Sequence, residues 1–364
     1  MYFKPSVLLM LAVMAALTGP AMAAEPVSVT NWSDRIAFKG DFRLRYESID
    51  EQFEESRDRM RFRARFGLSG QLHDNVKIVL RLATGGDNPV STNQTFDDGF
   101  STKDIGLNLA YVDWRVNDRL AINVGKIPNP LFRAGGAGLI WDGDLTPEGI
   151  TANFQSGMFF ATGAGFSAEE RSSADDSLLY AVQGGVKVDI GNTGKLTAGA
   201  GYFSYSDTVG NAPFYNGRPK GNSVDLGGNY LFEYRNSEIF AQFDTSVSDW
   251  AVRLFAHYTQ NHEVSNEDTA FALGAKLGSA KKKGESEFSV TYQDIEADAV
   301  IGTFSDSDFG GGGTDSSGYI VKAKYGVSER IFLGGSFFIN DVDRFQGIEH
   351  DYNRLQIDLE FKFD

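Results

Sequence analysis

The sequence predicts an all-β fold, a transmembrane antiparallel β-barrel of about sixteen strands, or about eighteen on an alternative count. Three observations predict it. Segments of roughly ten residues alternate apolar and polar side chains. The connections between them are alternately short and long. The chain is rich in aromatics and glycine, with 29 Phe, 14 Tyr and 41 Gly, and it has no Cys. Beyond residue 23 no apolar run is long enough to cross a membrane as a helix. No fixed repeat suggests a β-helix, and no stretch reads as the interior core strand of a soluble sandwich.

Residues 1–23 have the plan of a secretory signal peptide. Lys4 is the positive n-region, Val7 to Leu17 the apolar stretch, and Ala21-Met22-Ala23 the small-x-small cleavage pattern. This leaves 24–364 as the barrel. A net charge of -15 argues against a nucleic-acid partner. The absence of Cys excludes a disulfide scaffold.

In a strand successive side chains point to opposite faces. From Asp34 to Ile49, Ile36, Phe38, Phe42, Leu44 and Tyr46 share one face, and Lys39, Asp41, Arg43, Arg45 and Glu47 the other. Residues 50–58 read as a loop. Arg59 to Leu68 then alternates without a break: Met60, Phe62, Phe66 and Leu68 against Arg59, Arg61, Arg63 and Arg65. A tight turn at His73-Asp74-Asn75 leads into Val76 to Leu82, with Lys77 and Arg81 on the polar face. The polar segment 85–103 follows. A strand near 104–116 changes phase near Tyr111–Val112, which predicts a bulge there.

Leu120 to Ile127 is followed by the long Gly-rich loop 128–148. Strands are expected near 149–154, 157–167, 178–190 and 195–207, the last two flanking the turn Gly191-Asn192-Thr193-Gly194. Val224 to Tyr234 resembles a strand but breaks the rhythm of short and long connections, so 208–236 is assigned to an outer loop. The remaining strands are expected near 237–246, 249–260, 268–279, 285–297, 317–327, 329–340 and 351–363. The last has Leu355, Ile357, Leu359, Phe361 and Phe363 on its apolar face, and Asp364 follows the terminal aromatic residue.

Three blocks resemble the bacterial "putative porin" family of outer-membrane proteins. They are Gly125-Lys126-Ile127-Pro128-Asn129-Pro130, Trp141-Asp142-Gly143-Asp144-Leu145-Thr146-Pro147-Glu148-Gly149, and Ser305-Asp306-Ser307-Asp308-Phe309 with Gly310–Gly313 and Gly318-Tyr319. Their order and spacing are similar to that family over essentially the whole mature chain. The resemblance implies an outer-membrane channel for small hydrophilic solutes or ions, surrounded by outer-membrane lipid, with no enzyme activity. Porins are often trimers, so a homotrimer is carried as an expectation.

In such a barrel the polar faces line the interior. Lys39, Arg43, Arg45, Arg59, Arg61, Arg63, Arg65, Lys77 and Arg81 then form one basic patch across three strands, opposed on those strands by Asp41 and Glu47. Such a patch attracts anions. The competing expectation is that an inward loop supplies acids and the arginines brace the wall. Loop 128–148 is the candidate constriction, with Arg133, Asp142, Asp144 and Glu148 as the charges that would face the arginines. Asp142-x-Asp144 and Asp306-x-Asp308 do not fit a calcium loop, and no metal or cofactor is expected. Of the four His, none stands in a nucleophile motif, so no catalytic residue is assigned.

Overall fold

The computed structural model describes residues 35–363; residues 1–34, which include the expected signal peptide 1–23, and the terminal Asp364 lie outside the described residues. The strands in chain order are β1 (Ile36–Glu51), β2 (Arg57–His73), β3 (Val76–Thr84), β4 (Gln94–Thr95), β5 (Ile105–Asn117), β6 (Leu120–Lys126), β7 (Glu148–Ser156), β8 (Phe159–Glu169) and β9 (Ser177–Ile190). They continue as β10 (Gly194–Tyr205), β11 (Arg235–Val247), β12 (Trp250–Asn261), β13 (Thr269–Gly278), β14 (Ser286–Ile295), β15 (Ser316–Gly326), β16 (Ile331–Val342) and β17 (His350–Phe363).

All belong to one antiparallel sheet of 17 strands, which closes where β1 pairs with β17 from Gly40↔Phe363 to Glu51↔Tyr352. β4 pairs only with β2 and stands outside the ring, so the barrel itself has sixteen strands. Closure gives every wall strand two neighbours, which a hydrocarbon environment requires. Gly40 permits the seam: a Cβ there would lie 2.3 Å from the Phe363 ring and 2.4 Å from the Arg65 carbonyl.

The connections alternate as expected. One end carries tight turns such as Gly157-Met158 and Ser248-Asp249; the other carries loops 85–104, 127–147, 206–234 and 296–315. Residues 208–236 lie largely in an outer loop, within which Val224 and Tyr230 form an isolated bridge. The β1–β2 loop is shorter than predicted, 52–56, because both strands run on. The β5 bulge is at Asn108, where Arg81↔Leu109 gives way to Leu82↔Leu107, not at Tyr111–Val112.

The outward apolar faces are exposed: Phe38, Met60, Phe66, Leu68, Leu333 and Ile357 among them. Around the seam, Phe38, Phe66 and Phe363 cluster at centroid distances of 5.8–6.5 Å. Part of the interior is an apolar core, built where loops fold inward onto the wall. Trp141 packs on Phe203 at 5.4 Å, and Tyr205, Phe214 and Phe304 stack together at 5.7–6.2 Å. Most of these residues come from loops or from strand ends near the loops, where strand alternation carries no signal.

The ring also has a local gap in its pairing. β3 pairs with β2 only up to Arg65↔Ala83, so the loop-side half of β2 needs other partners on that edge. The end of β3 and loop 85–104 supply them. Thr84 Oγ1 accepts from the Ala64 amide at 2.9 Å, and β4 pairs Thr95 with Arg61 and Gln94 with Phe62. This fixes the residue before β4, Asn93, beside the arginine face.

Candidate functional site: an arginine wall clasped by two loops

Alternation turns Arg43 and Arg45 of β1 and Arg59, Arg61, Arg63 and Arg65 of β2 to the interior. The β1–β2 register places Arg43 opposite Arg63 and Arg45 opposite Arg61. Like charges directly opposite destabilise a sheet unless counter-charges intervene. Those counter-charges come mostly from elements distant in sequence, in addition to the Asp41 and Glu47 that β1 itself carries. Closure brings β17 beside β1, with Asp358 opposite Arg45 and Glu360 opposite Arg43.

Arg45 grips Asp358 in a two-pronged contact at 2.7 and 2.8 Å and also meets Asp308 at 3.2 Å. Arg63 and Arg65 hold Asp41 at 2.9 and 2.8 Å. Arg59 and Arg354 both hold buried Glu47, and Arg354 meets Asp308 at 2.7 Å. Arg354, Asp358 and Glu360 did not figure in the sequence reading of the patch. The signal was present: all three lie on the polar face of the last strand, and barrel closure sets that face next to β1.

Loop 127–147 folds inside the ring. The Gly135 amide donates to Gln242 at 2.9 Å, and the Phe132 amide to Gln183 at 2.6 Å. At its tip Gly135 has φ 64°, and a Cβ there would lie 2.3 Å from the Phe255 ring.

The four predicted loop charges separate. Asp144 reaches the wall, 3.3 Å from Arg65 and 3.8 Å from Arg63. Asp142 does not; it turns to loop 296–315, accepting from the Ser307 amide at 2.9 Å. Arg133 donates to the Trp141 carbonyl at 3.0 Å. Glu148 is the first residue of β7, exposed and paired with Lys126 at 2.8 Å, so it is not part of the inward segment.

The two D-x-D motifs share one design. In each, the first aspartate accepts the amide of the second: Asp144 to Asp142 at 2.7 Å, and Asp308 to Asp306 at 2.9 Å. The second aspartate of each is bound by wall arginines. The two loops are joined further by the Asp142 amide to the Phe304 carbonyl at 2.7 Å and the Asp306 amide to the Gly138 carbonyl at 3.0 Å. Burial, then the neighbouring Asp306 carboxylate, pushes the Asp142 carboxyl up to about 8.

Of the other predicted residues, Lys77 lies 3.7 Å from Asp113 and Arg81 donates to Asn108 at 2.6 Å. Lys39 is exposed at the turn-side end of β1 and joins no ion pair among the described residues. The histidines do not assemble a triad among the described residues. Buried His257 meets Glu238 at 2.7 Å, and Arg253 pairs with Asp244 at 2.6 Å. His262 meets Ser237 at 2.8 Å.

Three interior cavities flank the wall and the inward loop. One of about 730 Å³ lies on the loop side and is lined by Arg59, Arg61, Arg218, Lys220 and Arg354 with Glu51, Glu55 and Asp308. One of about 410 Å³ lies on the turn side between the Gly135–Gly138 tip and the wall, reaching Arg43, Asp358 and Glu360. One of about 590 Å³ lies across the tip, near Arg133, Gln183 and Lys187.

The same architecture is found in solved structures, a porin among them. OprB from Pseudomonas putida matches with a TM-score of 0.63 at 12% identity, covering 91% of this chain and 95% of that one. A triple mutant of the Rhodopseudomonas blastica porin matches with a TM-score of 0.52 at 11% identity, over 90% and 100%. A loop-deletion mutant of OmpT, an outer membrane protein of Vibrio cholerae, gives 0.51 at 12% identity, over 91% and 100%. At such identities the likeness is one of fold. No curated protein matches at the level of sequence. The family model described as "Putative porin" matches residues 49–220 and 219–363, nearly the whole described barrel. The chain therefore belongs to the "putative porin" family of the bacterial outer membrane.

Proposed function

We propose that the chain is a passive diffusion channel for small hydrophilic solutes whose basic interior wall favours anions. One observation carries this reading. Seven arginines (Arg43, Arg45, Arg59, Arg61, Arg63, Arg65 and Arg354) meet six carboxylates (Asp41, Glu47, Asp144, Asp308, Asp358 and Glu360), and Lys324 also takes Glu360 at 2.8 Å. The excess is positive and borders cavities toward both ends of the barrel. Low-dielectric walls strengthen such a field, and added salt weakens it. In this reading loop 127–147 is the constriction, with Asp144 as the carboxylate it presents to the wall. No catalytic step or cofactor enters.

A specific observation also favours a second reading, a structural barrel plugged by its loops: the aromatic core fills part of the interior, and most of the arginines are neutralised at close range. Planar bilayers separate the two. Reconstituted full-length protein should give discrete conductance steps, and its liposomes should swell in an uncharged small sugar. Silent bilayers and unswollen liposomes would leave the plugged barrel as the account.

We also propose that the aromatic face of β17, β1 and β2 is the contact of a homotrimer. Detergent-corrected mass should be three times that of one chain, and Phe38→Ser with Phe66→Ser should reduce it to one. A wild-type mass of one chain would refute the contact.

A further inference from the structure

Two of the wall arginines differ from the rest. Arg45, Arg63, Arg65 and Arg354 each make at least two hydrogen bonds, and Arg59 makes a close pair with Glu47. Among the described residues, Arg43 and Arg61 each spend only one of five N–H donors in a hydrogen bond, and both bonds go to the same residue. Arg43 donates to the Asn93 side chain at 2.6 Å, and Arg61 to the Asn93 carbonyl at 3.4 Å.

Their carboxylates stay back, Asp358 at 3.8 Å from Arg43 and Glu47 at 3.7 Å from Arg61. Both of those acids are held at close range by other arginines. The Nε atoms of Arg43 and Arg61 are buried and have no hydrogen-bond partner. Burial keeps these two atoms from solute, so an acceptor in either cavity is met by the remaining Nη donors of each guanidinium. The side chains are 13% and 11% exposed, and they open to different cavities: Arg61 to the loop-side one and Arg43 to the turn-side one.

We propose that Arg61 and Arg43, one on each side of Asn93, form a two-step binding site for a small oxyanion passing between the cavities. This rests on the channel reading and names its solute class. Oxygen acceptors suit the site better than halide, because guanidinium donors form charge-assisted pairs with planar or tetrahedral oxyanions. Asn93 is the divider and neutral spacer. The β4 pairing with β2 fixes it, so the anion passes from one guanidinium to the other around a rigid residue. The remaining arginines hold the loops and the wall.

The test is chloride conductance through the reconstituted full chain, with inorganic phosphate added as the probe. Phosphate resident at the site should block chloride current in a concentration-dependent manner. Arg61→Gln and Arg43→Gln should each raise the half-blocking concentration by about tenfold, the equivalent of one lost charge-assisted hydrogen bond. Asn93→Asp, which keeps both arginines but places a carboxylate between them, should do the same. Arg65→Gln, at a braced position, should change it by less than about twofold.

A conducting wild type that phosphate does not block overturns the site and leaves the channel intact. Equal effects of Arg65→Gln and Arg61→Gln also overturn it, since the field would then be diffuse. A wild type that does not conduct removes the channel reading, and the site with it.

Discussion

At the scale of single residues, the arginines of β1 and β2 are alike in sequence and unlike in their surroundings. Arg45 is 5% exposed and shared by Asp358 and Asp308. Breaking a buried pair leaves charge without compensation, which is more costly than removing both members. Arg45→Ala should therefore destabilise the barrel by about 3–5 kcal/mol, read as a lower unfolding temperature of refolded protein in detergent. Arg45→Lys should recover only part of the loss, because a point charge does not reproduce the two-pronged contact with Asp358. The alternation disclosed which way these side chains point. It did not disclose their partners, because Asp358 lies 313 positions away and Asp308 belongs to a loop.

At the scale of elements, the two inward loops clasp each other and the wall. Loop 127–147 touches loop 296–315 through Asp142. An acid whose pKa is raised in the docked state holds its proton more tightly there than when free. Docking is thus fully supported at low pH and loses support as pH climbs from the ordinary carboxylate range through about 8. Conductance should rise as pH climbs from the ordinary carboxylate range through about 8 and the clasp loosens, and Asp142→Asn should flatten that rise. Single-channel recordings across the range check both; an equally steep rise in the variant would assign it to another group.

Gly135 tests the seat of the same loop. Gly135→Leu cannot keep the tip against Phe255, both for φ 64° and for the 2.3 Å approach. It should displace the tip, increase conductance and admit larger uncharged solutes in liposome swelling.

The length and charges of this loop marked it as the candidate constriction but left open whether it folds inward. The division of labour within it was not anticipated. Asp142 and Asp144 differ only in which neighbour the fold brings to each, and Glu148 is lost to a strand that starts one residue earlier than the alternation suggested. The D-x-D motifs were legible as a pair of similar blocks, but nothing local said that they meet.

At the scale of the whole molecule, period-2 alternation carried most of the fold. Each wall strand exposes one face to lipid and one to the interior, so the pattern repeats at every strand and the count of sixteen follows. What alternation cannot report is how the interior is filled. Loops 127–147, 206–234 and 296–315 pack aromatic residues inside, through contacts between residues far apart in sequence. The interior is consequently divided. Its apolar part is held by Trp141, Phe203, Phe214 and Phe304, and its charged part lies along β1, β2 and β17. In the proposed channel, solute is confined to the charged part, and the wall's residual positive charge selects what passes.

Reversal potential in a salt gradient tests that claim most directly. Wild-type channels in a KCl gradient should reverse on the anion-selective side, and Arg61→Glu with Arg63→Glu should move the reversal potential toward cation selectivity. A cation-selective wild type, or a double variant with an unchanged reversal potential, would mean that the arginine wall braces the barrel and does not select.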